Sequence, residues 1–152
     1  MIAARPQAAD REVQEDLMRL DAYRGQLNTL LQQHQILTAS RQDHARARES
    51  LEGIDRAASG TEFLLPLGGE AFVRGSVARE APVLIGIGSG IVVEMVRPKV
   101  VELLAQRLGR IDQAVRDLEG KMNSVDERIQ QISARLEATE RSSGASADVG
   151  GS

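Results

Sequence analysis

Phe63-Leu64-Leu65-Pro66-Leu67-Gly68-Gly69-Glu70-Ala71-Phe72-Val73 and, after Glu80-Ala81-Pro82, Val83-Leu84-Ile85-Gly86-Ile87-Gly88-Ser89-Gly90-Ile91-Val92-Val93-Glu94 read as two β-hairpins. In the first, Phe63, Leu65 and Leu67 alternate, Pro66-Leu67-Gly68-Gly69 marks a turn, and Val73 and Val77 continue on one face of a second strand. In the second, Ile85 and Ile87 alternate towards Gly88-Ser89-Gly90, and Ile91, Val93 and Met95 follow. Gly-Gly and Gly-Ser pairs suit the positive φ that tight hairpin turns require. The two hairpins are expected to fill residues 61–96.

Outward from this block the period changes from two to a mixture of three and four. Downstream, after Pro98 at a position suited to a helix start, Val101, Leu104, Leu108, Ile111, Val115, Leu118, Met122, Val125, Ile129, Ile132 and Leu136 step without a break. This is a coiled-coil seam, expected over 98–141. Upstream, Leu20, Tyr23, Leu27, Leu30, His34, Leu37, Arg41, His44, Leu51 and Ile54 give a more polar seam of the same period, expected over 10–58. Asp10 is the expected N-cap, with Glu12 and Glu15 in the first turns, where carboxylates suit the helix dipole. Residues 1–9 are expected to be a flexible N-terminus. The Ser-, Gly- and Ala-rich segment 142–152 is expected to be a disordered tail.

Two long helices flanking about 35 residues of strand should fold back as an antiparallel pair. A bend midway sets Leu51 against Leu104, Leu37 against Leu118, Leu30 against Val125, and Tyr23 against Ile132. Between Thr38 and Ser50 the first helix offers mainly Arg41, His44, Ala45, Ala47 and Arg48 to the seam, which predicts a loosely packed section. The hairpins raise the sharper question. Short strands with apolar faces and open edges are not stable alone. The helices cannot cover them while projecting away as a pair. The fold class that follows is mainly α with a small β part, a long antiparallel coiled coil whose hairpins at the bend pair with strands of other subunits. Phe63, Leu65, Leu67, Val73, Val77, Ile85, Ile87, Ile91 and Val93 are the expected oligomerisation residues.

The chain is 41% apolar and 27% charged, with a net charge of −3, no cysteine, and Tyr23, Phe63 and Phe72 as its aromatic residues. That composition disfavours a stout globular enzyme core and removes disulfide and thiolate chemistry. The charge balance gives no pull towards nucleic acid, and the most apolar stretch, 81–96, is too short and too glycine-rich to span a membrane. Gly86-Ile87-Gly88-Ser89-Gly90 leads into strand-like Ile91-Val92-Val93 with no lysine nearby, so it reads as a turn and not a phosphate loop. His34 and His44 lie on a helix seam with no cysteine near and read as polar seam residues, not as metal ligands. No catalytic, cofactor-binding or metal site is expected.

The hairpin block, Leu65 to Val73 and Val83 to Glu94, resembles the prefoldin family, and its two hairpins resemble the alpha-class subunits, since beta-class subunits have one. The resemblance covers about residues 10–140. It implies an ATP-independent, cytoplasmic holdase, a hexamer of two alpha and four beta subunits whose hairpins form a double β-barrel. It further implies that the distal ends of the coiled coils grip unfolded polypeptides and pass them to a group II chaperonin. The end residues expected to touch clients are Val13, Leu17 and Leu20 on the first helix and Ile129, Ile132 and Leu136 on the second. The competing expectation is a structural coiled-coil adaptor that binds one folded partner.

Overall fold

The computed structural model describes residues 5–78 and 80–147, with side chains from 7 to 78 and 80 to 145. The order is α1 (Arg5–Arg56), β1 (Glu62–Gly68), β2 (Ala71–Ser76), β3 (Val83–Gly88), β4 (Ile91–Met95) and α2 (Arg97–Ala147). The chain forms two compact units, Met1–Leu37 with Ala114–Ser152, and Thr38–Gln113. Both helices contribute to each unit.

Both helices are longer than the sequence suggested. α1 begins at Arg5, so Asp10 is not an N-cap and no acid lies in the first turn. Proline suits a first helical turn, where its missing N–H has no intrahelical partner to lose. Pro6 occupies that place in α1, as Pro98 does in α2. At the other end α2 runs on through Gly144 to Ala147, into the segment expected to be disordered. A helical glycine costs only about 1 kcal/mol, and no proline stops the helix. Side chains also bond back onto the preceding turn: Thr139 Oγ1 donates to Arg135 O at 3.0 Å, and Ser142 Oγ to Thr139 O at 2.9 Å. The expected flexibility of 1–4 and 148–152 concerns positions outside the described residues.

In the first unit the helices are antiparallel, because Asp16 meets Arg135 and His34 meets Glu119. Leu30, Leu118 and Val125 form the buried core, with Tyr23, Leu27, Leu37, Met122 and Ile129 packed against it. Leu30 and Val125, like Leu37 and Leu118, thus share one cluster, which is consistent with the expected layers. Tyr23 joins the same cluster as Ile129, one turn nearer than Ile132, and its hydroxyl accepts from Arg128 Nη1 at 3.0 Å.

The second unit holds both hairpins and the adjoining helix segments. Leu51, Ile85, Val100 and Leu104 form its core, so the β3–β4 hairpin lies with Val83, Ile85, Val93 and Met95 against the helices. Buried Arg97 ties the pieces together, donating to Asp55 Oδ1 at 2.7 Å and to Ala78 O at 2.6 Å.

Along α1 no described side chain between Leu30 and Leu51 is buried, and along α2 none between Leu104 and Leu118. In the second unit Arg41 Nε donates to Asp112 Oδ1 at 2.5 Å, beside a recess of about 390 Å³ lined by Ala45, Arg48 and Leu108. Salt-bridged polar layers pack less apolar surface than leucine layers, so local opening costs less there. Amide exchange should therefore be faster over residues 40–48 than over 25–35; equal protection would contradict this.

Candidate functional site: open hairpins and open helix ends

The two hairpins are built to one plan. β1 pairs with β2 through Phe63↔Gly75, Leu65↔Val73 and Gly68↔Ala71, and β3 pairs with β4 through Val83↔Met95, Ile85↔Val93 and Gly88↔Ile91. Each ladder shifts register at the residue before its first turn glycine, Leu67 in one and Ile87 in the other. Each reverses through two residues of positive φ, Gly69 (56°) with Glu70 (62°), and Ser89 (52°) with Gly90 (75°). That is the backbone of a type I′ turn, whose twist matches the strands. The reversal falls one residue later than the sequence suggested, because the preceding glycine at φ 98° or 117° serves the bulge. β2 ends at Ser76, so Val77 lies just beyond the strand.

The shared plan makes their different surroundings informative. In β3–β4 one face is used inside the subunit, and Ile85 and Val93 lie on it. The matching face of β1–β2, with Phe63, Leu65 and Val73, joins neither buried cluster. Leu65 is 47% exposed and rests on Gly75, where an added Cβ would stand 3.0 Å from its Cδ1. Leu67, Val73, Val77, Ile87 and Ile91 are also exposed, and Phe63 is half-buried. Each hairpin is a separate two-stranded sheet, so among the described residues each strand has one edge without a strand partner.

The second faces are apolar too, which the period-two reading missed. Leu64, Phe72, Leu84 and Val92 are exposed large apolar residues on the opposite sides. The signal was present in Leu64-Leu65, Val83-Leu84-Ile85 and Ile91-Val92-Val93. Near-continuous apolar runs mark strands that are covered on both faces.

In the first unit the six expected end residues divide. Leu20 and Ile132 are buried, at 7% and 4% exposure, and Ile129 packs with the Leu30 cluster. Val13, Leu17 and Leu136 instead line an open recess of about 410 Å³, with Ala9, Asp10, Thr139 and Glu140 around them. Leu17 is half exposed, and Met18 beside it, which the seam pattern skipped, is more so.

The histidines are engaged within the fold: His44 Nδ1–H donates to Ser40 O at 2.7 Å, and His34 Nε2 lies 3.2 Å from Glu119 Oε1. Among the described residues no three His, Asp or Glu side chains form a group able to hold a metal ion, and no helix is long and apolar enough to cross a membrane.

Residues 23–141 match the profile of a family described as Prefoldin: Prefoldin subunit. The chain belongs to the prefoldin family. The resemblance read from the hairpin block is thereby borne out, and the chain is a chaperone subunit. It is 32% identical to Prefoldin subunit alpha of Methanoculleus marisnigri over 135 residues, covering 89% of this chain and 90% of that one. It is 21% identical to the prefoldin subunit alpha of Pyrococcus horikoshii over 133 residues, covering 87% and 90%. Among solved structures, filamentous PFD from Methanocaldococcus jannaschii superposes with a TM-score of 0.64 at 19% identity, over 78% of this chain and 98% of that one. The prefoldin beta subunit from Thermococcus strain KS-1 gives 0.57 at 17% identity, over 84% and 91%. These two likenesses establish the prefoldin fold, two long helices joined by small antiparallel hairpins.

Proposed function

We propose that this chain is the alpha-class subunit of a cytoplasmic hexamer of two alpha and four beta subunits, a holdase that works without ATP, cofactor or catalysis. The hairpins close into β-barrels with those of its neighbours. The ends of the helix pairs hold unfolded polypeptides and release them to a group II chaperonin.

The observation that carries this reading is the pair of hairpins with apolar residues on both faces and open edges. Strands of that kind are stable only when other strands complete them, and a closed barrel removes every edge. The end recess supports the second half. Fully burying one leucine is worth about 1.5–3 kcal/mol, so a single contact holds a client no better than millimolar. Several ends on one assembly combine such contacts through effective concentration, and each still lets go quickly. Weak contacts in parallel suit a carrier that must hand its load over.

The test uses the chain co-assembled with a beta-class partner and no nucleotide. Aggregation of several unrelated proteins diluted from denaturant should be suppressed. Suppression of one client alone would favour the adaptor, and suppression of none would refute capture.

A further inference from the structure

The recess between Val13, Leu17 and Leu136 has two carboxylates in its wall, Asp10 and Glu140, and among the described residues no basic side chain lines it. Both acids are exposed, and no ion pair engages either one among the described residues. The contrast with Asp16 is direct. That carboxylate, only 16% exposed, receives Arg135 at 2.9 Å and lies 3.8 Å from Arg19. Arg141, next to Glu140 in the chain, turns its Nε to the carbonyl of Glu137 at 3.4 Å.

An apolar floor with unneutralised acids at its rim discriminates among apolar ligands by their flanking charge. We propose that this recess prefers unfolded segments in which an apolar side chain is flanked by lysine or arginine. The apolar side chain fills the space against Leu17 and Leu136, and the cations meet Asp10 and Glu140. Segments with acidic flanks meet like charge at the same points. The proposal rests on the reading that the helix ends hold clients, and it names the class of client they hold best.

The test uses the full chain assembled with its beta-class partner and three fluorescein-labelled peptides. The peptides share one apolar core and carry lysine, serine or glutamate flanks, and binding is read by anisotropy. At about 50 mM salt the lysine peptide should bind about fivefold more tightly than the glutamate peptide, the size expected of two exposed charge contacts. At about 0.5 M salt screening should bring the affinities together. In Asp10→Asn with Glu140→Gln the preference should collapse towards one.

Equal affinities for the unmodified assembly, or a preference that survives in the double variant, would overturn the proposal. Serine-peptide binding without any charge preference would remove this proposal and leave capture standing, whereas no binding of any peptide would remove both. Tighter binding of all three peptides after deletion of residues 1–4 would assign the recess to the chain's own start instead, and so contradict it.

Discussion

Leu65→Asp is expected to abolish assembly with the beta-class partner while leaving the subunit's helices folded. Leu65 faces outward from β1, opposite Val73 and beside Phe63, and nothing in its own subunit buries it. A carboxylate there stays hydrated in the free subunit, so its cost falls on the assembled state alone. Removing an ionised carboxylate from water without a partner costs at least several kcal/mol, and every copy in the assembly carries the defect. Each 1.4 kcal/mol is tenfold in affinity, so association should weaken by three or more orders of magnitude. Size-exclusion chromatography with light scattering reads the result, and far-UV circular dichroism verifies the helices. A complex of unchanged mass would contradict the assignment of β1–β2 to the assembly surface.

The matching position in the second hairpin would not give so clean an answer. Ile85 is buried against Leu51, Val100 and Leu104, so an aspartate there breaks the subunit's own core before it touches any interface. The repeat makes Leu65 and Ile85 look interchangeable in sequence, and only the packing separates them.

The second large effect concerns the helix ends. Leu17→Ser together with Leu136→Ser should leave the assembled mass unchanged and raise the amount of complex needed for half-suppression of client aggregation about tenfold. Both side chains line the open recess, while Leu20 and Ile132 are buried and remain to hold the helices together. Each leucine lost from a contact surface removes on the order of 1 kcal/mol when the contact is partial. Two losses at every copy compound through the shared client. Unchanged suppression by the intact assembly would move client contact away from Val13, Leu17 and Leu136.

Much of this is legible in the sequence alone. The seam of α2 names most of its buried apolar side chains, since Leu104, Leu118, Val125 and Ile132 fall on it. It starts at Val101, however, and misses Val100, which is 1% exposed and belongs to the core under the β3–β4 hairpin. The hairpins declared themselves through glycine pairs between alternating strands. Helix ends were less readable: Asp10 has the chemistry of a cap, but Pro6 followed by Gln7-Ala8-Ala9 lets the helix begin earlier. The tail rich in serine and glycine reads as disorder by composition, yet as far as Ala147 it extends a helix already formed. Elongating a helix needs far less than nucleating one. Which end residues stay open depends on where the register leaves a gap, and the sequence offered Leu17 and Leu20 alike as client-contact residues although only Leu20 is buried.

The central claim is that the hairpins are completed by other chains. Native mass spectrometry of this chain co-expressed with a beta-class subunit tests it most directly. The account predicts a single dominant species of two copies of this chain with four of the partner. A soluble, folded monomer that persists beside its partner would contradict it.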